Sequence, residues 1–316
     1  MINIDLLMGR LIFMRKARKS KLVDLKEAIN MVKEGSSLAT GGQSLANKPS
    51  AFVREIVKKG IGNLTLFSNP IASYDADLLI GAGLVKKIYL ACVTFDYLGL
   101  APNFRKAAEN GEIEIVEVDG RAVIGGYMAA VEGLPAHPVN SLKGTDFLKT
   151  SELIKIYTSP DGEELIAVVA LSPDVAVIHV PEADEYGNAR HMGTAYFDPV
   201  MIGASKQVIV TAEKIVSLDT IEAEPYKTTV PSYLVDCVIE LPFGAHPCSC
   251  NALYDHDEEH FKEYIQCAEL ALKGENRNAF SDYLNKYIYQ PDSIYEYLEL
   301  VGGRKKMNEL RKGVWR

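Results

Sequence analysis

Short runs of β-branched and aliphatic residues alternate along this chain with stretches whose apolar positions recur every third or fourth residue. Asp24-Leu-Lys-Glu27 starts the first helix in the manner of a capping box, with Asp in place of Ser or Thr. Leu25, Ala28, Ile29 and Val32 form its apolar stripe and Gly35 stops it. Leu38–Thr40 predicts the first strand. The next helix begins near Pro49, carries Phe52, Val53, Ile56 and Val57 on one face, and ends at Gly60. The alternation continues with strands at Leu64–Phe67, Lys87–Val93 and Ile113–Val118 and helices at Ala76–Ile80, Asn103–Glu109 and Arg121–Val131. Residues 133–162 hold prolines and glycines and read as an irregular stretch that folds over a site or a partner. Beyond them come strands at Leu165–Ala170, Val175–Val180, Val208–Thr211 and Val235–Glu240, a helix at Pro199–Lys206, and a mainly helical region from about residue 257. Continuous β-branched runs between amphipathic helices predict an α/β fold, an open, mostly parallel sheet covered by helices on both faces. No internal repeat and no Pro/Gly-rich linker divides the chain.

In such folds ligands bind beyond the carboxyl ends of the strands, so the loops there carry the candidate chemistry. The most conspicuous is Gly41-Gly42-Gln43, between the first strand and the helix after Pro49. Paired glycines take positive φ and let the backbone approach a ligand, and the helix start adds N–H groups suited to an anion or a thioester oxygen. A tight turn without a ligand is the plainer alternative. Ser68-Asn69, Asp119-Gly120-Arg121, Glu182 to Asn188 and Gly244-Ala-His-Pro247 occupy the equivalent places after other strands. Their carboxylates are of a type that serves as base or nucleophile, although most loop carboxylates are solvated or cap helices. His246-Pro-Cys248-Ser-Cys250 lacks the second Cys/His pair of a zinc site, and His256 and His260, placed at i, i+4 on a predicted helix face, lack a zincin's Glu. These residues read as structural, and no metal is assigned. P-loop, G-x-S-x-G and G-x-G-x-x-G patterns are absent from the sequence.

Composition narrows the setting. With 316 residues, 47% hydrophobic and 24% charged, the chain has the balance of a soluble globular protein, and its longest apolar runs are too short for a membrane span. Five scattered cysteines fit reduced thiols in a cytoplasm. The net charge of −8 is uneven: basic residues collect in 1–20 and 303–316, leaving an interior of 23 basic against 40 acidic side chains. Such a body argues against nucleic acid and requires that a phosphate-bearing ligand find local cations or those of another chain. Residues 1–20 place their charge after their apolar residues, the reverse of a signal peptide; they read as a dispensable extension with Met14 as an alternative start.

The same loops carry a resemblance. Gly41-Gly42 followed by Lys48-Pro49-Ser-Ala-Phe-Val-Arg-Glu-Ile56, then Ala76-Asp-Leu-Leu-Ile-Gly-Ala-Gly-Leu-Val-Lys-Lys87, Pro173-Asp-Val-Ala-Val-Ile-His-Val180, Asp184-Glu-Tyr-Gly-Asn-Ala189 and Gly244-Ala-His-Pro247, resemble in order the family I CoA-transferases, α subunit of the glutaconate type. The resemblance implies a transferase domain at 21–270 and a helical extension at 271–316 packed on the same domain. It implies a β subunit of similar fold as partner, acyl-CoA and a carboxylic acid as substrates, and no permanently bound cofactor. It also implies a ping-pong exchange in which a β-subunit glutamate, in a Ser-Glu-Asn-Gly motif, forms an acyl anhydride and then a glutamyl-CoA thioester.

The near match Ala108-Glu109-Asn-Gly111 lacks the Ser and falls where a helix ends, so no catalytic nucleophile is assigned to this chain. Its expected part is half of a shared acyl pocket, lined by Gly41, Gly42, Gln43, Ser68, Asn69, Asp119, Gly120 and Asn188, with backbone donors for the thioester oxygen. Two positions depart from the pattern. Gln43 stands where many members of the resembled family have Phe. Gly120 stands where transferases of the resembled family commonly carry Gln and the related ring-opening CoA-ester hydrolases Glu, unless a one-residue slip makes Asp119 the equivalent. The expected function is a heteromeric CoA-transferase acting on a small organic acid, a dicarboxylate among the candidates. The alternatives are the α subunit of a ring-opening CoA-ester hydrolase and a non-catalytic subunit that binds acyl-CoA or a carboxylate.

Overall fold

The structure, a computed structural model, describes residues 18–313, so the 1–20 extension lies largely outside the described residues. Seven parallel strands form the main sheet: β1 (Ser37–Thr40), β2 (Leu64–Ser68), β4 (Val85–Leu90), β6 (Glu114–Glu117), β10 (Val175–Asp184), β12 (Gln207–Val216) and β13 (Cys237–Glu240). Their order is β13-β12-β10-β1-β2-β4-β6, with β11 (Ala189–Arg190) antiparallel to β10. β3 (Ile71–Ala72) and β5 (Cys92–Val93) pair separately. Three short helices, α1 (Leu25–Ala28), α6 (Phe147–Thr150) and α8 (Leu218–Ala223), lie in the connections. The central strands are apolar on both faces because each face meets a helical layer. Leu38 packs into one core with α2 (Ser50–Lys59) and α3 (Tyr74–Gly81), whereas its neighbour Ala39 faces the other core, with α5 (Gly120–Val131) and α7 (Asp198–Ala204). On α2, Phe52, Val53 and Ile56 are wholly buried, each contributing about 1.5–3 kcal/mol of hydrophobic stabilisation.

The stretch 133–162 is more ordered than the sequence predicts. It supplies β7 (Ala136–Val139) and β8 (Ile154–Thr158), which flank β9 (Glu164–Val169) in a separate antiparallel sheet. The run Leu165–Ala170 is thus a strand, as its pattern predicts, but its partners are local and it does not join the parallel sheet.

The C-terminal helices, α9 (Glu258–Lys273), α10 (Ala279–Leu284), α11 (Ile294–Leu300) and α12 (Gly303–Lys312), enter the same core as α2 and α3. Arg54 of α2 lies 3.6 Å over the Tyr297 ring and donates to the His246 carbonyl at 2.6 Å. His246 bonds Tyr297 Oη at 2.8 Å and Asp257 Oδ2 at 3.2 Å. Burial holds the His246 and His260 rings below the ordinary histidine value. α9 starts only at Glu258, with Asp257 as its N-cap, so His256 precedes the helix and does not share a face with His260. His256 meets Tyr97 Oη at 2.8 Å, and His260 meets Tyr283 Oη at 2.8 Å in the interior.

α4 (Pro102–Asn110) is tied to α3 by Asp77, which accepts from Phe104 N at 2.8 Å, Asn103 Nδ2 at 2.9 Å and Tyr264 Oη at 2.7 Å. Burial raises this carboxyl from 3.8 to about 6, against those bonds. Because the folded value exceeds the unfolded one, this contribution to stability is fully present below about pH 4 and is lost as pH rises through about 6. Asp77→Asn cannot ionise and is expected to flatten the urea-midpoint profile across that window. A variant profile with the wild-type slope would contradict this assignment.

Candidate functional site

From β1 the chain proceeds through β2, β4 and β6 toward one edge, and from β10 through β12 and β13 toward the other. The switch point therefore lies between the carboxyl ends of β1 and β10, where doubly wound sheets place their ligands. Thr40 pairs with Val177 across this junction, and the next residues are Gly41-Gly42-Gln43.

The glycines are required by close packing. A Cβ on Gly41 would lie 2.7 Å from Ile178 Cγ2 and 2.8 Å from Asp198 Oδ2. On Gly42, at φ +68°, it would lie 2.3 Å from the Ala46 carbonyl oxygen. Asp198, wholly buried at the start of α7, is the centre of the arrangement. Its Oδ1 accepts from Gly42 N and Asn69 Nδ2, both at 2.9 Å, and its Oδ2 lies 3.3 Å from His191 Nε2. Asn69 Nδ2 also donates to the Gly42 carbonyl at 2.8 Å. One carboxylate thus joins the loops after β1, β2 and β11. Burial, and then the nearby Asp198 charge, pushes the Tyr127 phenol well above its ordinary value, and its hydroxyl has no hydrogen-bond partner among the described residues.

The backbone donors differ from expectation. Gly41 N bonds Val177 O at 2.8 Å, Gln43 N bonds Ala46 O at 3.0 Å, and Ser44 N bonds Ile71 O at 2.9 Å; with Gly42 on Asp198, all four amides have partners inside the chain. The start of α2 is also covered. Ser50 N bonds Lys48 O and Ala51 N bonds Gly244 O, each at 2.8 Å. The loop's exposed-amide anion site is therefore replaced by an internally bonded corner. The unpartnered polar atoms are on side chains: Gln43 Oε1, Ser68 Oγ and Asn69 Oδ1, with Asn47 Nδ2, Lys48 Nζ and Ser50 Oγ, are buried without a hydrogen-bond partner among the described residues.

The other candidates divide. Gly120 joins this end of the sheet, since a Cβ there would lie 3.1 Å from Pro70 Cβ. Asp119 turns to its own helix and caps α5, accepting from Ala122 N at 2.6 Å. Asn188 is held in the β10–β11 turn by Asp184 Oδ2 at 2.7 Å and accepts from Ser232 N at 3.1 Å. Glu109 pairs with Arg105 at 2.8 Å in the last turn of α4, which Gly111 ends at φ +65°. Cys250 comes close to His179 and Glu213, the one such grouping of potential metal donors among the described residues. Glu213, however, already accepts from Tyr254 Oη, Phe243 N and Gly244 N, and His179 bonds both Glu213 and Thr211. This network anchors the Phe243-Gly244 turn. Burial, with Asp75 second, pushes the Cys248 thiol up to about 12. Sequence reasoning missed Asp198, His191 and Asp75. The only local sign of the first is Asp198-Pro199 at a helix start, a pattern that ordinarily marks a cap.

A model of the coenzyme A transferase family matches residues 22–241. The chain belongs to the coenzyme A transferase family. It is 31% identical, over 92% of its length and 94% of the relative's, to the α subunit of glutaconate CoA-transferase from Acidaminococcus fermentans. The crystal structure of that organism's glutaconate coenzyme A-transferase aligns with a TM-score of 0.85 at 30% identity, covering 92% of this chain and 96% of that one. An uncharacterised protein of Archaeoglobus fulgidus is 37% identical over 92% of this chain, which spans 64% of that relative's length. A cholesterol ring-cleaving hydrolase subunit of Rhodococcus jostii is 31% identical over 80% of this chain and 88% of its own. The family's substrates are CoA esters, and the parallel sheet with helices on both faces and a helical C-terminal region is the fold the transferase structure shares. Among the described residues no helix is long and apolar enough to cross a membrane.

Proposed function

We propose that this chain is the α subunit of a heteromeric CoA-transferase. It would move CoA between an acyl-CoA and a small carboxylic acid, with dicarboxylates the first to be tried. The observation that carries this reading is the state of the carboxylates around the switch point. Asp198 is bonded to Gly42, Asn69 and His191, Asp75 to Thr40, Asp96 to Ser44, and Asp119 to Ala122 N, so each has a structural partner. A nucleophile is better supplied from a second chain.

In this reading the β-subunit glutamate attacks the thioester carbonyl and releases CoA thiolate, leaving an acyl anhydride. The thiolate then attacks the glutamyl carbonyl, releases the first acid and leaves a glutamyl-CoA thioester. The second acid's carboxylate reverses the sequence. This chain supplies the wall of the acyl pocket through Gly41, Gly42, Gln43, Ser68, Asn69 and Gly120. Among its buried atoms without a hydrogen-bond partner, Gln43 Oε1, Ser68 Oγ and Asn69 Oδ1 are the ones this reading assigns to the substrate or the partner. Leaving such atoms unpaired costs about 1–3 kcal/mol each, a cost that a ligand or the β subunit would remove.

The purified chain is expected to be inactive alone and to exchange CoA when mixed with its β partner. Failure of an assembled pair, with the partner's glutamate intact, to move CoA among a panel of acids would refute the transferase reading.

The similarity to a hydrolase subunit favours one check at Asp119. Asn is as good an N-cap as Asp, so Asp119→Asn is expected to change stability by no more than about 0.5 kcal/mol. It should also leave CoA exchange within about twofold, because the capping carboxylate has no chemical role in a transferase. Loss of turnover in a stable complex would instead select the ring-opening hydrolase.

A further inference from the structure

Beneath the glycine loop lies a buried ion pair that the mechanism above does not use. Lys48 Nζ is 3.1 Å from Asp75 Oδ2, and both side chains are fully inaccessible. The contact is ionic rather than a well-aligned hydrogen bond. Stability does not account for it, since an apolar pair of similar volume is generally as stable as a buried ion pair, or more so. Its surroundings do. Asp75 Oδ2 also accepts from Thr40 Oγ1 at 2.6 Å, and Asp75 Oδ1 accepts from Ser73 N at 2.9 Å. Thr40 is the last residue before the loop and Lys48 the first after Asn47, so one carboxylate holds both ends of residues 41–47. Ser73 adds a third hold through its hydroxyl, which donates to the Ser44 carbonyl at 2.5 Å.

The clamped segment needs such restraint. Gly42, Ser44 and Asn47 all have positive φ, at 68°, 52° and 55°. For the two residues that are not glycine, this conformation persists only where the surroundings over-determine it. Two opposite charges at fixed positions do so more sharply than apolar packing, which tolerates small shifts.

We propose that Lys48 and Asp75 are positioning residues for acyl transfer, fixing the height and orientation at which Gly41–Ser44 meets the acyl group. The inference rests on the reading of this loop as a wall of the acyl pocket. It does not require either residue to touch substrate.

The test uses the complex assembled with its β subunit. Asp75→Asn alone leaves a buried unpaired ammonium, so the main variant is Lys48→Met with Asp75→Asn, which keeps volume and removes both charges. This complex is expected to assemble and melt near the wild type, while kcat falls about 30-fold or more, as small misplacements of a reacting group do. KM for the CoA ester should change less than about threefold, because binding contacts remain. Amide hydrogen exchange across residues 41–47 should quicken. Thr40→Val is the milder companion: it cuts one hold on the loop, leaves the pair intact and should lower kcat about fivefold at constant KM. Wild-type kcat in a folded double variant, or in Thr40→Val should the double variant not fold, would overturn the proposal. Absence of CoA exchange in the wild-type complex would instead count against the transferase reading. Hydrogen exchange would still decide whether the pair holds the loop: unchanged protection in both variants would end the positioning claim.

Discussion

Asp198→Ala is expected to destabilise the chain by about 3–5 kcal/mol and to abolish CoA exchange in the assembled complex, a joint effect larger than any other point substitution in the site. Alanine would take the carboxylate partner from Gly42 N, from His191 Nε2 and from one N–H of Asn69 Nδ2, whose other bond to the Gly42 carbonyl remains, in a place without solvent access. Each lost partner is a buried group with its desolvation uncompensated. The functional loss follows from geometry, because the same carboxylate sets where the Gly41-Gly42 backbone stands relative to Asn69. Asp198→Asn retains an acceptor oxygen of the same reach, so it should recover much of the stability and part of the rate. Thermal melts of the isolated chain and exchange assays of the complex separate the two effects. Should Asp198→Ala melt with the wild type and retain its rate, Asp198 would be a bystander and the three loops would be held by packing alone.

This centre shows where sequence reading stops. The strands at Leu38–Thr40, Val175–Val180 and Val208–Thr211 are legible because a strand buried on both faces is a continuous apolar run, and the alternation with amphipathic helices implies the parallel sheet. The loop after β1 is legible as a candidate site for the same reason, since a sheet of this kind gathers ligands at strand ends. The destination of the loop's N–H groups is not. Gly42 N bonds a side chain 156 positions away, and local pattern carries no record of such a pairing. Nor does period-two patterning say with which strand a run will pair, so β9 reads as part of the main sheet. Counting the His spacing without the cap puts His256 on a helix; Asp257, which accepts from His260 N at 3.1 Å, starts that helix one residue beyond His256. Ser68 and Asn69 are named for their place after a strand and Gln43 also for its departure from the family pattern; that each buries a polar atom without a partner among the described residues is not legible in the sequence.

Ending the chain at Leu270 is expected to prevent folding altogether, although the family model matches only residues 22–241. The deleted segment includes Phe280, Tyr283, Leu284, Tyr287, Ile288, Tyr297, Val301 and Met307, all buried in the same cluster as Leu38, Phe52 and Ile56. At about 1.5–3 kcal/mol for each large side chain, the loss exceeds about 10 kcal/mol, comparable with the entire stability of a typical domain at about 5–15 kcal/mol. Polar losses compound it. Arg54 would lose the Tyr297 ring beneath its guanidinium, His246 Nδ1 its 2.8 Å partner, and Lys58 Nζ its 2.6 Å bond to the Pro291 carbonyl. Arg54 and Lys58 lie on α2, the helix that leaves the glycine loop, so a chain lacking these helices would also lose support for that loop. Far-UV circular dichroism and a urea titration read the outcome: a truncated chain showing no cooperative transition is expected. A transition near the full-length midpoint would mean that residues 271–313 form an appendage whose burial adds nothing to the core.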